Sequence, residues 1–409
     1  MGEREPVPIS GMHAVSALGR GTDAQLAGAL RGAPAFRPVR RFDTTGRRVT
    51  VAATLPDVGT LPDELAAAID AACRSAGLTS AQRAESALLL ASHGGPSSQP
   101  GAFRADRPVR TGAAPTADRD RVTVTGGPAR GPGDGVEPAG RPAPELVARL
   151  ARRCGLGSPT RTYASACVSA STAVADAAAM IRRGDRERVV VAAGYLVEPD
   201  QFALFDAGRA LAVDGSVRPF SVGRTGLLLG DGVAALVLES TVAVRSRGVE
   251  PVATLYGWGR AGDAYHPCRP DPAGGGLARA IGAALARAGL PAEAVGYVNA
   301  NATGTGFSDA SEAAGLRLAL GDRADRIPVS STKSLHGHAL EASGLLELVV
   351  TVLALRHGKL PVNAGWLGPD AACPLDVVTG APRPVASPYA LSLNAAFGGA
   401  NTALLVGAP

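Results

Sequence analysis

Apolar positions recur along this chain with a helical spacing, and the spacing itself recurs. Leu65, Ile69 and Cys73 in Leu65-Ala-Ala-Ala-Ile69-Asp-Ala-Ala-Cys73-Arg-Ser-Ala-Gly77-Leu78-Thr79 match Leu277, Ile281 and Leu285 in Leu277-Ala-Arg-Ala-Ile281-Gly-Ala-Ala-Leu285-Ala-Arg-Ala-Gly289-Leu290-Pro291. The i, i+4, i+8 pattern predicts an amphipathic helix in each copy, with a glycine at the C′ position that ends it. A buried strand is predicted after each helix, at 87–92 and 295–300, and a strand ahead of each, at 6–10 and 251–256. Coincidence between two Ala-rich helices is the bland alternative, but the shared Gly-Leu stop and following strand argue against it. Two copies of one α/β unit imply two similar halves, near 1–245 and 246–409.

Between the copies, strand and helix alternate. The pattern predicts a short strand at 161–165, a helix over 168–183 ending at Gly184, a strand at 188–193 and a β-rich run at 233–239. Short strands at 328–331 and 391–394 flank a helix near 340–357. Such alternation specifies a layered α/β protein. Residues 96–143 break it: they are crowded with Gly, Pro, Arg and Asp and hold one aromatic, Phe103. That composition predicts a long loop-rich insert, a surface excursion rather than a lid.

Composition narrows the class. A hydrophobic content of 46% over 409 residues is ample for a large buried core. No apolar run approaches the roughly 18–20 residues of a membrane span, and Met1–Pro6 has no apolar signal region, so a cytoplasmic protein away from membranes is the expectation. The five cysteines are scattered without metal-ligand spacing, so neither a metal site nor a disulfide framework is predicted. The net charge of +5 comes almost wholly from arginine, Lys333 and Lys359 being the only lysines. Aromatics make up 4% of the chain, too few to interleave with basic residues as single-strand nucleic-acid binding requires. A mildly basic surface suits an acidic partner such as a carrier protein or coenzyme A.

Three clusters carry candidate chemistry. Cys167 follows a short predicted strand and opens an Ala-rich helix. The positive end of the helix dipole and the free N–H groups there lower a thiol's pKa and favour the nucleophilic thiolate; the alternative, a buried small hydrophobe, fits Cys73 better. The run Asn299-Ala300-Asn301-Ala302-Thr303-Gly304-Thr305-Gly306 follows a strand with small and hydroxyl side chains that let a ligand come close, or is an ordinary polar turn. In Ser330-Ser331-Thr332-Lys333-Ser334-Leu335-His336-Gly337-His338, a lysine is retained in an arginine-rich chain, which suggests a need for a compact ammonium charge. Glu347 on the next helix is placed to pair with it. His338 is either functional or a satisfied core histidine.

Together, in order and spacing, these motifs resemble the β-ketoacyl synthase (ketosynthase) family of the thiolase superfamily over nearly the whole chain. The likeness rests on Ile9-Ser10-Gly11-Met12-His13-Ala14-Val15-Ser16-Ala17-Leu18-Gly19, on Ala166-Cys167-Val168-Ser169-Ala170, and on Arg218-Pro219-Phe220-Ser221-Val222-Gly223-Arg224-Thr225-Gly226 with Gly230-Asp231-Gly232. Ser331-Thr332-Lys333-Ser334 with Gly337-His338, and Phe397-Gly398-Gly399-Ala400-Asn401, complete it. The resemblance implies a five-layered αβαβα thiolase fold of two pseudo-repeated halves. It also implies a homodimer, or a heterodimer with a second ketosynthase-like subunit. By the same likeness, Cys167 accepts an acyl group from an acyl carrier protein or acyl-CoA thioester. Its N–H and that of Phe397, the gating aromatic, form the oxyanion hole. Thr303 and Thr305 hold the phosphopantetheine arm, His338 donates to the thioester carbonyl, and Lys333 and Glu347 set the electrostatics. No cofactor is implied, because phosphopantetheine arrives with the substrate.

The sequence departs from that family at Asn301, where members that condense malonyl units carry a histidine. Asparagine can donate a hydrogen bond but cannot transfer a proton or carry positive charge. Loss of such a donor costs about 10²–10³ in rate. The expectation is therefore acyl transfer in polyketide or fatty-acid-like specialised metabolism, non-elongating or with atypical bond formation. An elongating decarboxylative condensing enzyme remains an alternative. A non-catalytic chain-length-factor-like subunit is another, against which Cys167, Lys333 and His338 speak. Glu341 stands where the family has glycine, and Ala395-Ala396-Phe397-Gly398-Gly399 replaces a Gly-Phe-Gly-Gly run, which together suggest a reshaped acyl channel.

Overall fold

The computed structural model describes residues 5–93 and 143–408. The loop-rich stretch expected at 96–143 thus lies outside the described residues, except for its last position, which opens the helix Ala143–Arg153.

Both copies of the repeated segment are helices, α1 (Leu61–Ser75) and α5 (Gly275–Ala288). Their shared Gly-Leu stop is a Schellman turn in each. Gly77 and Gly289 take φ of 64° and 66°, and the following Leu78 and Leu290 N–H groups donate to Cys73 and Leu285 carbonyls at 3.0 and 3.1 Å. Among the longer helices between them are α2 (Ala143–Arg153), α3 (Ser169–Arg182) and α4 (Pro199–Ala207); α6 (Gly306–Leu320) and α7 (Ser343–His357) are the long helices after α5.

The first half contributes strands β1 (Val7–Ser16), β2 (Ala87–Ala91), β3 (Thr160–Tyr163), β4 (Arg188–Tyr195) and β5 (Gly232–Glu239). The second contributes β6 (Ala253–Gly262), β7 (Val295–Asn299), β8 (Pro328–Ser330), β9 (Asp376–Val377), β10 (Tyr389–Ala396) and β11 (Ala400–Gly407). They form one mixed sheet in the order β9-β8-β7-β10-β11-β6-β1-β5-β4-β2-β3. With the two-residue edge strand β9 set aside, the five strands of each half follow one order: the first lies next to the fifth, then come the fourth, second and third. Strand senses repeat as well: second–third and second–fourth pairs are parallel, fourth–fifth and fifth–first antiparallel. The halves join through a short antiparallel pairing of β1 with β6, from Val7 opposite Leu255 to Ile9 opposite Ala253. The boundary expected at 245/246 falls inside the helix Thr241–Arg247, and β6 opens the second half six residues beyond it.

Five layers result. Helices α1 and α2 cover the outer face of the first half-sheet and α5 and α6 that of the second, while α3 and α7 lie between. Residues on β4 alternate accordingly: Val189, Val191 and Ala193 face the central layer, Val190 and Ala192 the outer one. Helix α7 is buried from Ser343 to Leu355, as expected of a helix without an amphipathic stripe. Any ionic side chain on it must find its partner inside the protein.

The repeat extends to a glycine contact. A Cβ on Gly11 of β1 would lie 2.4 Å from the Ala72 carbonyl oxygen of α1, and one on Gly257 of β6 would lie 2.0 Å from that of Ala284 of α5. Ala72 and Ala284 occupy matching positions in the two repeat copies. Each half therefore seats its copy of the repeated helix directly on the backbone of its first strand. Gly257→Ala is expected to lower unfolding free energy by about 3 kcal/mol or more through overpacking. Gly282→Ala, on the open face of the same helix, should be neutral or raise it by up to about 1 kcal/mol; denaturant titration distinguishes the two.

Candidate active site

The nucleophile's position is set by a tight turn. Strand β3 ends at Tyr163, Ala166 takes a left-handed φ of 50°, and Cys167 lies in a single turn, Ala166–Val168, that leads into α3. The Ser165 N–H donates to Ser169 Oγ at 2.8 Å, and that hydroxyl donates to the Ala166 carbonyl at 2.6 Å. This local bonding holds a backbone conformation that costs a non-glycine residue about 1–2 kcal/mol.

His338 reaches the sulfur from the other half of the chain: its Nε2 lies 3.0 Å from Cys167 Sγ. Backbone bonds clamp it on both sides, its N–H donating to the Leu228 carbonyl at 2.7 Å and its carbonyl accepting from Gly230 N–H at 3.0 Å. The Gly230-Asp231-Gly232 motif makes that approach possible. A Cβ on Gly230 would sit 1.9 Å from the His336 carbonyl oxygen, and one on Gly232 would sit 2.6 Å from the Ala339 Cβ. Asp231 between them accepts from Arg41 at 2.6 and 3.0 Å and from the Leu55 and Val197 N–H groups at 2.7 Å, tying three segments to the end of β5. On the other face of the imidazole, Nδ1 lies 2.9 Å from Ser343 Oγ, which already accepts the Ala339 N–H at 3.0 Å. The serine hydroxyl proton is used if it points to Nδ1. In the tautomer in which that hydroxyl donates to Nδ1, the ring proton sits on Nε2 and faces the sulfur.

Behind this pair, Lys333 Nζ and Glu347 Oε1 are 2.6 Å apart, and both side chains are excluded from water. The second Glu347 oxygen accepts from Asn394 Nδ2 at 2.7 Å, and Asn394 Oδ1 accepts from Ser171 Oγ at 2.5 Å. The predicted lysine–glutamate pair is therefore present, on the buried helix α7 where an unpaired carboxylate would be most costly.

Burial keeps both reacting groups neutral. It drives the His338 pKa well below its ordinary value, with the positive charge of Lys333 adding to the effect. The Cys167 thiol is pushed up to about 12, first by burial and then by the negative charge of Glu341, while Lys333 pulls the other way. This overturns the expectation of a lowered cysteine pKa. The sulfur does sit at the start of a helix, but Cys167 is only 8% exposed, and loss of thiolate hydration outweighs the dipole.

Cys167, Asn301, Thr303, Thr305, His338 and Phe397 line one cleft of about 530 Å³; Lys333 and Glu347 lie behind it. The threonine hydroxyls are 3.0 Å apart. Their turn is held by Asp309 on α6, which accepts from the Thr303 and Gly304 N–H groups at 3.1 and 3.2 Å. Burial raises the Asp309 carboxyl to about 6. Glu312, raised to about 8 by burial, accepts the Asn301 N–H at 2.7 Å. Phe397 is 60% exposed, sits beside the left-handed Gly398 and Gly399, and has its ring 6.4 Å from that of Phe205. Sequence reasoning missed Phe205, Ser343, Asp309, Glu312 and Asn394. Acidic residues in the first two turns of a helix following a Gly/Thr turn were the available signal for Asp309 and Glu312; the others are brought in by tertiary contact alone.

Comparison with known proteins agrees with this architecture. Residues 133–243 match the family model for the β-ketoacyl synthase N-terminal domain, and residues 252–366 that for its C-terminal domain. A 3-oxoacyl-[acyl-carrier-protein] synthase 2 of Synechocystis sp. is 29% identical over 98% of both chains. One from Staphylococcus aureus is 33% identical over 61% of this chain and 64% of its own. Among solved structures, the ishigamide ketosynthase/chain length factor superposes with a TM-score of 0.84 at 27% identity, covering 99% of this chain and 100% of that one. A β-ketoacyl synthase from Burkholderia phymatum gives 0.83 at 26% identity, with the same coverage.

A thiol with so high a pKa makes a specific demand on reactivity. Alkylation of Cys167 by iodoacetamide, read by peptide mass spectrometry, should keep rising with pH beyond about 10, instead of levelling above an ordinary thiol pKa of roughly 8.5. Lys333→Ala, which strands Glu347 in the core, should lower stability by about 3–5 kcal/mol in a denaturant titration.

Proposed function

The chain belongs to the β-ketoacyl synthase family, and on that premise we propose that it transfers acyl groups from carrier-protein or coenzyme A thioesters through an acyl-Cys167 intermediate. The observation that carries this reading is the 3.0 Å contact between His338 Nε2 and Cys167 Sγ at the wall of a cleft. Arg209, Arg224 and Arg269 also line that cleft, a basic surround suited to the phosphate of an incoming phosphopantetheine arm. Thr303 and Thr305 hold the arm, and no resident cofactor takes part. In the first step the sulfur attacks the thioester carbonyl. The N–H groups of Cys167 and Phe397 receive the developing oxyanion, and the Nε2 proton of His338 supports the carbonyl oxygen. Collapse of the tetrahedral intermediate expels the donor thiol, which departs with the cysteine proton. Acyl-Cys167 is left, and the proton count is unchanged.

The acceptor step is non-elongating or forms an atypical bond. Decarboxylation of a malonyl thioester generates an enolate, and Asn301 offers it an amide dipole without a positive charge or a transferable proton. Asn301 is 4% exposed and its Oδ1 has no hydrogen-bond partner among the described residues. The elongating alternative draws support from the names of the relatives in Synechocystis and Staphylococcus, both 3-oxoacyl-[acyl-carrier-protein] synthases. Under either reading we propose that the protein works as a dimer, with itself or with a second ketosynthase-like subunit.

Incubation with acyl thioesters should add one acyl mass to the intact protein, and Cys167→Ala should abolish the adduct. Carbon dioxide release from malonyl thioester should be about 10²–10³ slower than in Asn301→His. Wild-type release as fast as the variant's would favour the elongating alternative.

A further inference from the structure

The cleft that ends at Cys167 changes character along its length. At its inner end Cys167, Asn301, Thr303 and His338 are each 8% exposed or less, whereas at its open end Phe307 is 72% exposed. Phe307 is the second residue of α6 and belongs to none of the hydrophobic clusters of the described residues. The Arg269 guanidinium lies over its ring, 5.4 Å from the centroid, at the separation of a cation–π contact. An aromatic ring left in water beside a guanidinium presents a flat surface on which another flat group can stack.

The charge around that ring is of one sign. Arg209, Arg224 and Arg269 line the cleft, and among the described residues no aspartate or glutamate does. Asp370 pairs with Arg224 at 2.8 Å and offsets its charge. Arg209 and Arg269 are exposed, and their side chains make no hydrogen bond or ion pair among the described residues. No side chain caps α6 where Gly306, Phe307 and Ser308 border the cleft, so the free N–H groups of its first turn add positive potential there. A carrier protein sends its arm into a cleft on a single phosphodiester and keeps its body outside. Two unneutralised guanidinium groups, a helix N-terminus and a bare aromatic ring exceed what that phosphodiester uses. Coenzyme A carries the same arm on a diphosphate, with a ribose phosphate and a purine beyond it. It matches both the excess of positive charge and the ring.

We propose that the open end of this cleft is a nucleotide subsite, in which the purine of a coenzyme A thioester stacks on Phe307 while Arg209 and Arg269 receive its phosphates. The inference rests on the acyl-Cys167 reading and narrows its donor to coenzyme A. Titration calorimetry on the full chain tests it with free coenzyme A and with phosphopantetheine, which shares the arm and lacks the nucleotide. Coenzyme A should bind about tenfold tighter or more, the scale of one base stacked on an aromatic side chain. Phe307→Ala should bring the two affinities together, and Phe307→Trp should keep them apart. Arg209→Ala should weaken coenzyme A more than phosphopantetheine. Each ratio is taken within one preparation and is independent of the fraction folded. Coenzyme A binding no tighter than phosphopantetheine, or a preference that survives Phe307→Ala, would overturn the inference and leave the carrier-protein donor standing. If coenzyme A is preferred but butanoyl- and hexanoyl-coenzyme A both leave Cys167 unlabelled, the acyl-enzyme reading falls, and the donor role of the subsite with it.

Discussion

The working part of this molecule depends on one contact, the approach of His338 Nε2 to Cys167 Sγ, made by residues from opposite halves of a pseudo-repeated chain. Each half alone is a half-sheet with two helices on its outer face. Only when α3 and α7 pack back to back between the half-sheets do the turn opening α3 and the loop ahead of α7 face each other. The glycines at 230 and 232 belong to this constraint. They hold no catalytic group, but side chains there would drive the His336–Ala339 backbone away from β5 and carry the imidazole with it. The same packing places Lys333 on the loop and Glu347 on the helix so that their charges meet, close enough for the lysine's field to be felt at both reacting groups.

Seating the pair in the dry central layer has electrostatic consequences that act in opposite directions on its two members. Desolvation penalises whichever form is charged, so it raises the thiol and lowers the imidazole. Both are neutral at ordinary pH, and the helix terminus beneath the sulfur does not reverse that. The resting site is thus a thiol beside a neutral imidazole, with Ser343 orienting the ring so that a proton faces the reacting centre. Neutrality suits a site that must admit an uncharged thioester into an apolar layer. Negative charge then develops only where the Cys167 and Phe397 N–H groups and the His338 proton await it in the proposed mechanism.

The polar group around Glu341 stands out against this background. There Glu341 faces the half-buried His93 at 3.5 Å, beside the buried Tyr195 and Glu198 and the half-buried Gln201.

Much of this was legible in the chain. The periodicity of two segments, their Gly-Leu stops and the strands around them predicted the repeat and a layered α/β protein, and local motifs singled out Cys167, the 299–306 run, Lys333, His338 and Glu347, because hydrophobic period and turn chemistry are local properties of a sequence; Phe397, the significance of Asn301 and the roles of Thr303 and Thr305 came from the family resemblance. What the sequence did not determine was the state of the nucleophile. Position at a helix start argues for a thiolate, whereas burial, which is set by the layers that close over the turn, makes it a thiol. Nor could it show that Ser343 orients the imidazole, that Phe205 meets Phe397, or that His93 and Glu341 converge, since these partners lie far apart in the chain or depend on the exact path of a turn. Solvation and long-range contact belong to the assembled volume, and a linear pattern holds no measure of either.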